Sequence, residues 1–158
     1  MADGNGTSAQ NQAPMINAMV QYTKDFSFEN PNSPRSLGPQ SKSPNISIQV
    51  NVNARQVADS DFEVELLLEG SAGEAADTLF KFELNYAGLF RLVNIPANDV
   101  HPIVMIECPR LLFPFARQII AEAVRSGGFP PLYIDPIDFA GLYRQRMEQM
   151  ATQPSATA

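Results

Sequence analysis

Residues Arg110 to Phe139 read RLLFPFARQIIAEAVRSGGFPPLYIDPIDF. The stretch predicts a helix, a hard stop, an extended apolar connector and the start of a second helix. Leu111, Leu112, Phe115, Ile119, Ile120, Ala123 and Val124 fall on more than one side of a 3.6-residue wheel. A helix that is apolar over so wide an arc needs cover on two sides. Its own sheet supplies one, and a second subunit or a bound guest must supply the other. Gly127-Gly128 predict a left-handed stop. Phe129 to Ile134 then runs extended, because Pro130 and Pro131 fix φ and remove donors. Asp135-Pro136-Ile137-Asp138 is expected to open the next helix, with Asp135 as N-cap, Pro136 at the first position and Asp138 in the first turn.

Upstream of this helical half, the chain alternates. From Met15 to Glu29, residues Ile16, Ala18, Val20, Tyr22, Phe26 and Phe28 share one parity, with Met19 and Lys24 as the two misfits. This predicts a long strand with one buried face. Asn30 to Asn45 carries Pro31, Pro34, Gly38, Pro39 and Pro44. A loop of that length is expected to cross to a non-neighbouring strand or to overhang a groove. Three more alternating runs follow: Asn45 to Asn53, Phe62 to Gly70 and Asp77 to Tyr86, the last continuing to Ile95 past an expected bulge or bend at Gly88. Short links between them predict an antiparallel meander. Helical territory begins near Pro96, and Pro114 is expected to kink the main helix. Strands first and helices last give an α+β fold, a four-stranded antiparallel sheet with helices on one face.

The totals bound the class. The chain has 158 residues, a formal charge of −6 and a hydrophobic fraction of 44%. This suits a single globular domain over residues 15–150, and residues 1–14 and 151–158 read as disordered polar tails. The acidic balance argues against nucleic acid and for a basic partner. The lone Cys108 excludes an intrachain disulfide and fits a reducing cytoplasm. No apolar run is long enough to insert in a membrane, and the start of the chain has no apolar export signal.

Catalytic readings find no support. His101 and Cys108 are the only histidine and thiol, and they are read as a surface or capping histidine and a buried structural cysteine. No nucleotide, hydrolase or metal-ligand motif is present, so neither a cofactor nor a metal is expected. The charge pattern says more. Between Asp59 and Glu83 stand eight acidic residues and one basic residue, Lys81. Asp25 and Glu29 in the first strand, and Glu83 in the last, point off the apolar face and would form an acidic plate. Such a plate is either an ordinary solvated sheet face or a docking surface for a basic partner. A second feature is apolar excess in Phe129, Leu132, Tyr133, Ile134, Leu142, Tyr143, Met147 and Met150, which is either core packing or an adaptable surface for apolar guests.

Tyr22-Thr23-Lys24-Asp25-Phe26-Ser27-Phe28-Glu29 followed by Pro31-Asn32 closely resembles the first strand of the SecB family of bacterial export chaperones. Leu112-Phe113-Pro114-Phe115-Ala116-Arg117, Gly128-Phe129-Pro130 and Pro136-Ile137-Asp138-Phe139 resemble its helical half, and the likeness runs in order from about Met15 to Met150. The resemblance implies a four-stranded sheet with two main helices and a dimer-of-dimers homotetramer. It implies a cytoplasmic holdase that binds unfolded precursor proteins in apolar grooves and delivers them to the SecA translocation motor. The motor-docking acids carry over as Asp25, Glu29 and Glu83. Lys81 is a departure where relatives can have an apolar residue. Matching groove positions are Ile46, Ile48, Val50, Leu132, Ile134, Ile137 and Leu142. The chain has no tryptophan, so an aromatic that some relatives keep in the long loop is missing. The rival function is a carrier of a small apolar ligand in the same groove.

Overall fold

The computed structural model describes residues 13–40 and 42–153. Four strands build one antiparallel sheet: β1 (Met15–Glu29), β2 (Ile46–Gln56), β3 (Asp61–Ala72) and β4 (Phe80–Val93). Their spatial order is β1-β4-β3-β2. The last three strands form the expected meander. β1 lies beyond β4, so the segment after it carries the chain from one edge of the sheet to the other. That crossover is tied down by its own side chains. Asn32 donates through Nδ2 to the carbonyls of Ala76 and Thr78 at 2.9 and 2.8 Å, and Asn30 donates to the Gly127 carbonyl at 2.9 Å. Ser36 is buried and donates to Asn30 Oδ1 at 3.2 Å.

The first strand departs from its expected parity. The β1–β4 register slips between Ala18 and Val20 and again between Thr23 and Asp25. The two extra residues are Met19 and Lys24, the misfits in the alternation. Each inserted residue moves the chain to the other face of the pleat. Ile16, Ala18, Phe26 and Phe28 therefore stand opposite Leu92, Phe90, Leu84 and Phe82 on the helix side. Val20 and Tyr22, expected on that side, stand opposite Leu89 and Ala87 on the outer face. Gly88 is not a bulge, since β3 and β4 pair in regular register through it. A Cβ there would meet the Phe90 ring at 2.7 Å and Leu112 at 3.0 Å, so the residue is small because a helix packs close above it.

Residues 97–126 form one unbroken helical run in three parts: α1 (Ala97–Pro102), a π turn (Ile103–Glu107) and α2 (Cys108–Ser126). Pro109 offers no N–H to the Met105 carbonyl, and its ring crowds that oxygen. The π turn widens the backbone where this conflict falls. α2 continues through Pro114 without a break. It buries Leu112, Ala116, Ile120 and Val124 against the sheet, while Leu111 and Phe115 remain 45% and 52% exposed. The single chain thus leaves part of the broad apolar arc uncovered. At the stop, Gly128 alone takes a left-handed φ of 94°, whereas Gly127 stays right-handed at −75°.

The second main helix starts later than expected. α3 spans Phe139–Thr152, and its N-cap is Asp138, whose Oδ1 accepts from the Gly141 N–H at 3.0 Å. Asp135 and Pro136 belong to the extended connector. The reason is packing: Ile134 and Phe139 are both buried, and a straight connector lets both reach the core. The Phe139 ring meets Phe113 edge-on at 6.3 Å. α3 packs on the π turn and runs two residues into the stretch read as a tail. The expectations for residues 1–12 and 154–158 lie outside the described residues.

Candidate functional site

The outer face of the sheet, away from the helices, carries the four docking candidates. Cross-strand register sets Glu29 opposite Lys81, Ser27 opposite Glu83 and Asp25 opposite Asn85. On the other flank of β4, Ser71 pairs with Lys81 and Glu69 with Glu83. Glu29, Lys81, Glu83, Glu69 and Gln49 line a shallow depression of about 400 Å³. Asp25, exposed, lies on the same face toward the middle of β1.

This face has two halves of different character. In one, acids are neutralised. Glu63 accepts from the Tyr22 hydroxyl at 2.5 Å, from Arg55 Nε at 3.0 Å and from Lys24 Nζ at 3.2 Å. Lys24 also donates to Glu65 at 2.7 Å, and Arg91 holds Asp61 at 2.8 Å. The Tyr22 hydrogen bond, helped by Arg55 and Lys24 and opposed by burial, holds the Glu63 carboxyl down to about 2. In the other half, Asp25, Glu29, Glu69 and Glu83 make no ion pair within 4 Å among the described residues. Alternation alone did not show this division. It depends on the Lys24 bulge, which puts the ammonium on the outer face beside Glu63 and Glu65.

On the helix side, along the β2 edge, the surface divides into three hollows rather than one trough, and four of the seven apolar candidates line two of them. At the start of β2, a hollow of about 400 Å³ is lined by Ile46, Leu132, Leu37, Leu79, Phe80 and Phe129. Midway, Val50 and Leu142 share a hollow of about 320 Å³ with Met105 and Tyr143. At the far end, a third of about 550 Å³ lies under Met147 and Met150. Ile46 is 49% exposed, and Ile48, Val50, Leu132, Ile137 and Leu142 are half-buried against the core. Ile134, by contrast, is buried at 5% exposure, and its carbonyl accepts from Arg117 Nε at 3.1 Å. Leu37, Leu79 and Met105 were missed. Leu37 is the lone large apolar residue of a Pro/Ser-rich loop, which was the available signal.

Nothing in the fold builds a reactive centre from His101 and Cys108. His101 Nδ1 meets the Tyr143 hydroxyl at 3.0 Å. Cys108 is fully buried, and burial, with Glu107 nearby, pushes its thiol up to about 12. A thiol held protonated is a poor nucleophile. Among the described residues, no cluster of three or more histidine, cysteine or carboxylate side chains is placed to hold a metal ion, and no helix is long and apolar enough to cross a membrane.

A family model described as preprotein translocase subunit SecB matches residues 9–150. The chain belongs to the SecB family. A protein-export protein SecB of Methylocella silvestris is 78% identical over 157 residues, covering 99% of this chain and 98% of its own. One of Beijerinckia indica is 79% identical over 152 residues, covering 96% and 95%. Among solved structures, a SecB-like chaperone of Mycobacterium tuberculosis in complex with an antitoxin peptide superposes with a TM-score of 0.59 at 13% identity, over 77% of this chain and 90% of that one. That likeness shows the shared α+β fold. The SecB family is one of protein-export chaperones, and this member is a chaperone rather than an enzyme.

Proposed function

We propose that this chain is a cytoplasmic holdase. It binds non-native precursor proteins along the β2-edge hollows and passes them to the SecA motor through the outer acidic face. The observation that carries this reading is the separation of the two surfaces. The unpaired carboxylates occupy one side of the sheet and the apolar hollows the other. A client and a motor can then be held at once.

Apolar burial is non-directional, so the hollows accept many sequences. Six client side chains at about 2 kcal/mol each give roughly 12 kcal/mol. Ordering and association costs of several kcal/mol leave an affinity on the order of micromolar per segment. Assembly as a dimer of dimers would multiply the sites on one particle and raise avidity for a long client. Binding the unfolded form alone delays folding and aggregation by mass action.

The test separates the faces. Asp25→Lys combined with Glu83→Lys is expected to abolish binding to the SecA motor while delay of precursor refolding persists. Loss of both together would show that the docking face is misassigned. Titration with fatty acids addresses the rival: a tight response to lipid with none to an unfolded precursor makes the chain a small-ligand carrier.

A further inference from the structure

β3 breaks its own alternation once. Phe62, Val64, Leu66 and Leu68 face the helices, while Glu63, Glu65, Glu69 and Ser71 belong to the outer face. Leu67 takes an outer place where the pattern calls for a polar residue, and it is half-buried there. Cross-strand register makes its row Asn51, Leu67, Asn85 and Asp25, and the next row Gln49, Glu69, Glu83 and Ser27. A lone apolar side chain on a wet face is ordinary, but Leu67 differs in its neighbours. On one side of it Glu65 is already held, by Lys24 at 2.7 Å and by Asn85 Nδ2 at 3.1 Å. On the other, Glu69 and Glu83 stand directly opposite one another, and neither has an ion-pair partner among the described residues. Like charges set opposite across two strands repel, and a cation placed between them relieves the repulsion. Asn85 Oδ1 is closed off from solvent and accepts no hydrogen bond among the described residues, so the row also carries an unmet acceptor. An apolar centre ringed by polar groups is the usual anatomy of the energetic centre of a protein interface.

We propose that Leu67 is the apolar anchor of the outer docking face, meeting an extended segment of the motor that carries an apolar side chain and, two positions on, a lysine or arginine. In an extended chain those two side chains point the same way about 7 Å apart, which is the spacing of Leu67 and Glu69 along β3. The cation then sits between Glu69 and Glu83. Glu65 is already occupied by Lys24, so a cation is wanted on one side of Leu67 only and the segment has a preferred direction. The inference rests on the reading of this face as the motor-docking surface. It adds the anchor and the sequence pattern that the anchor selects.

Binding of purified SecA to the full chain, followed by interferometry, tests this. Leu67→Thr restores the polar pattern of β3 and is expected to weaken binding about 10-fold, the size of one interface hot spot. The loss should be the same at low and high salt, because an apolar contact is not screened. Leu67→Met, which keeps the volume, is expected to stay within about 3-fold of the parent. Glu69→Gln is expected to weaken binding about 3-fold at low salt only, while raising the thermal midpoint because the Glu69–Glu83 repulsion is gone. Delay of precursor refolding should be unchanged in all three. Motor binding by Leu67→Thr equal to the parent's overturns the anchor. A parallel loss of precursor delay also overturns it, since Leu67 is then part of the packing of the strand. A Glu69→Gln variant that loses stability and motor binding together overturns the place of the cation. If the parent delays precursor refolding and does not bind SecA, the docking reading itself fails, a result distinct from those.

Discussion

Glu63 is nearly buried, yet its carboxyl stays ionised because three groups stabilise it: the Tyr22 hydroxyl, Arg55 and Lys24, the last shared with Glu65. Its folded value of about 2 lies below the ordinary 4.5. Between those values the unfolded chain binds more protons than the folded one, so stability rises with pH there. The contribution is complete above about 4.5 and is lost as pH falls through 2. Urea unfolding of Glu63→Gln should show a shallower loss of stability across that acid window than the parent. At neutral pH the variant should be less stable by about 1–3 kcal/mol, the range for hydrogen bonds to a buried charged group. An acid limb identical to the parent's would move the sensitivity to other carboxylates.

At the scale of elements, α3 depends on one cap. Asp138→Ala removes the acceptor for the Gly141 N–H and is expected to cost about 1 kcal/mol, with faster amide exchange confined to the first turn of α3. Exchange unchanged in that turn would show that Phe139 packing alone fixes the helix start. This cap also shows where sequence reasoning stops. Asp135-Pro136 has better local chemistry for an N-terminus than Asp138-Phe139, but the need to bury Ile134 and Phe139 overrides it. The β2, β3 and β4 alternations were legible because apolar and polar side chains take opposite faces along most of each strand. β1 was only half legible, since a bulge is invisible until the partner strand is known. Met19 and Lys24 nevertheless stood out as misfits before any register was drawn. The acidic face was legible as a parity. Its split into paired and unpaired halves was not, because the split depends on β1–β4 register. Leu132 and Leu142 were legible as apolar excess and Ile46 and Val50 only through the family resemblance, while the division into three hollows required the placement of α3 and the crossover.

For the whole molecule, the uncovered side of α2 sets the expectation for assembly. Leu111 and Phe115 are exposed on the helix, and Met15, Met19 and Val20 are exposed on β1. A Phe115→Lys, Leu111→Glu double variant is expected to sediment as a smaller species than the parent at micromolar concentration, with the fold retained by circular dichroism. A parent that already sediments as a folded monomer at that concentration would remove assembly from the account.

The strand order also governs how the chain can be made. β1 leaves the ribosome well before β4, its neighbour in the sheet, and Glu29 and Phe80 are 51 positions apart (80 − 29). At synthesis rates of about 5–20 residues per second, that is a wait on the order of 3–10 s. Throughout that interval Phe26 and Phe28 have no sheet to join. This chaperone therefore passes through a stage of bare apolar surface during its own birth.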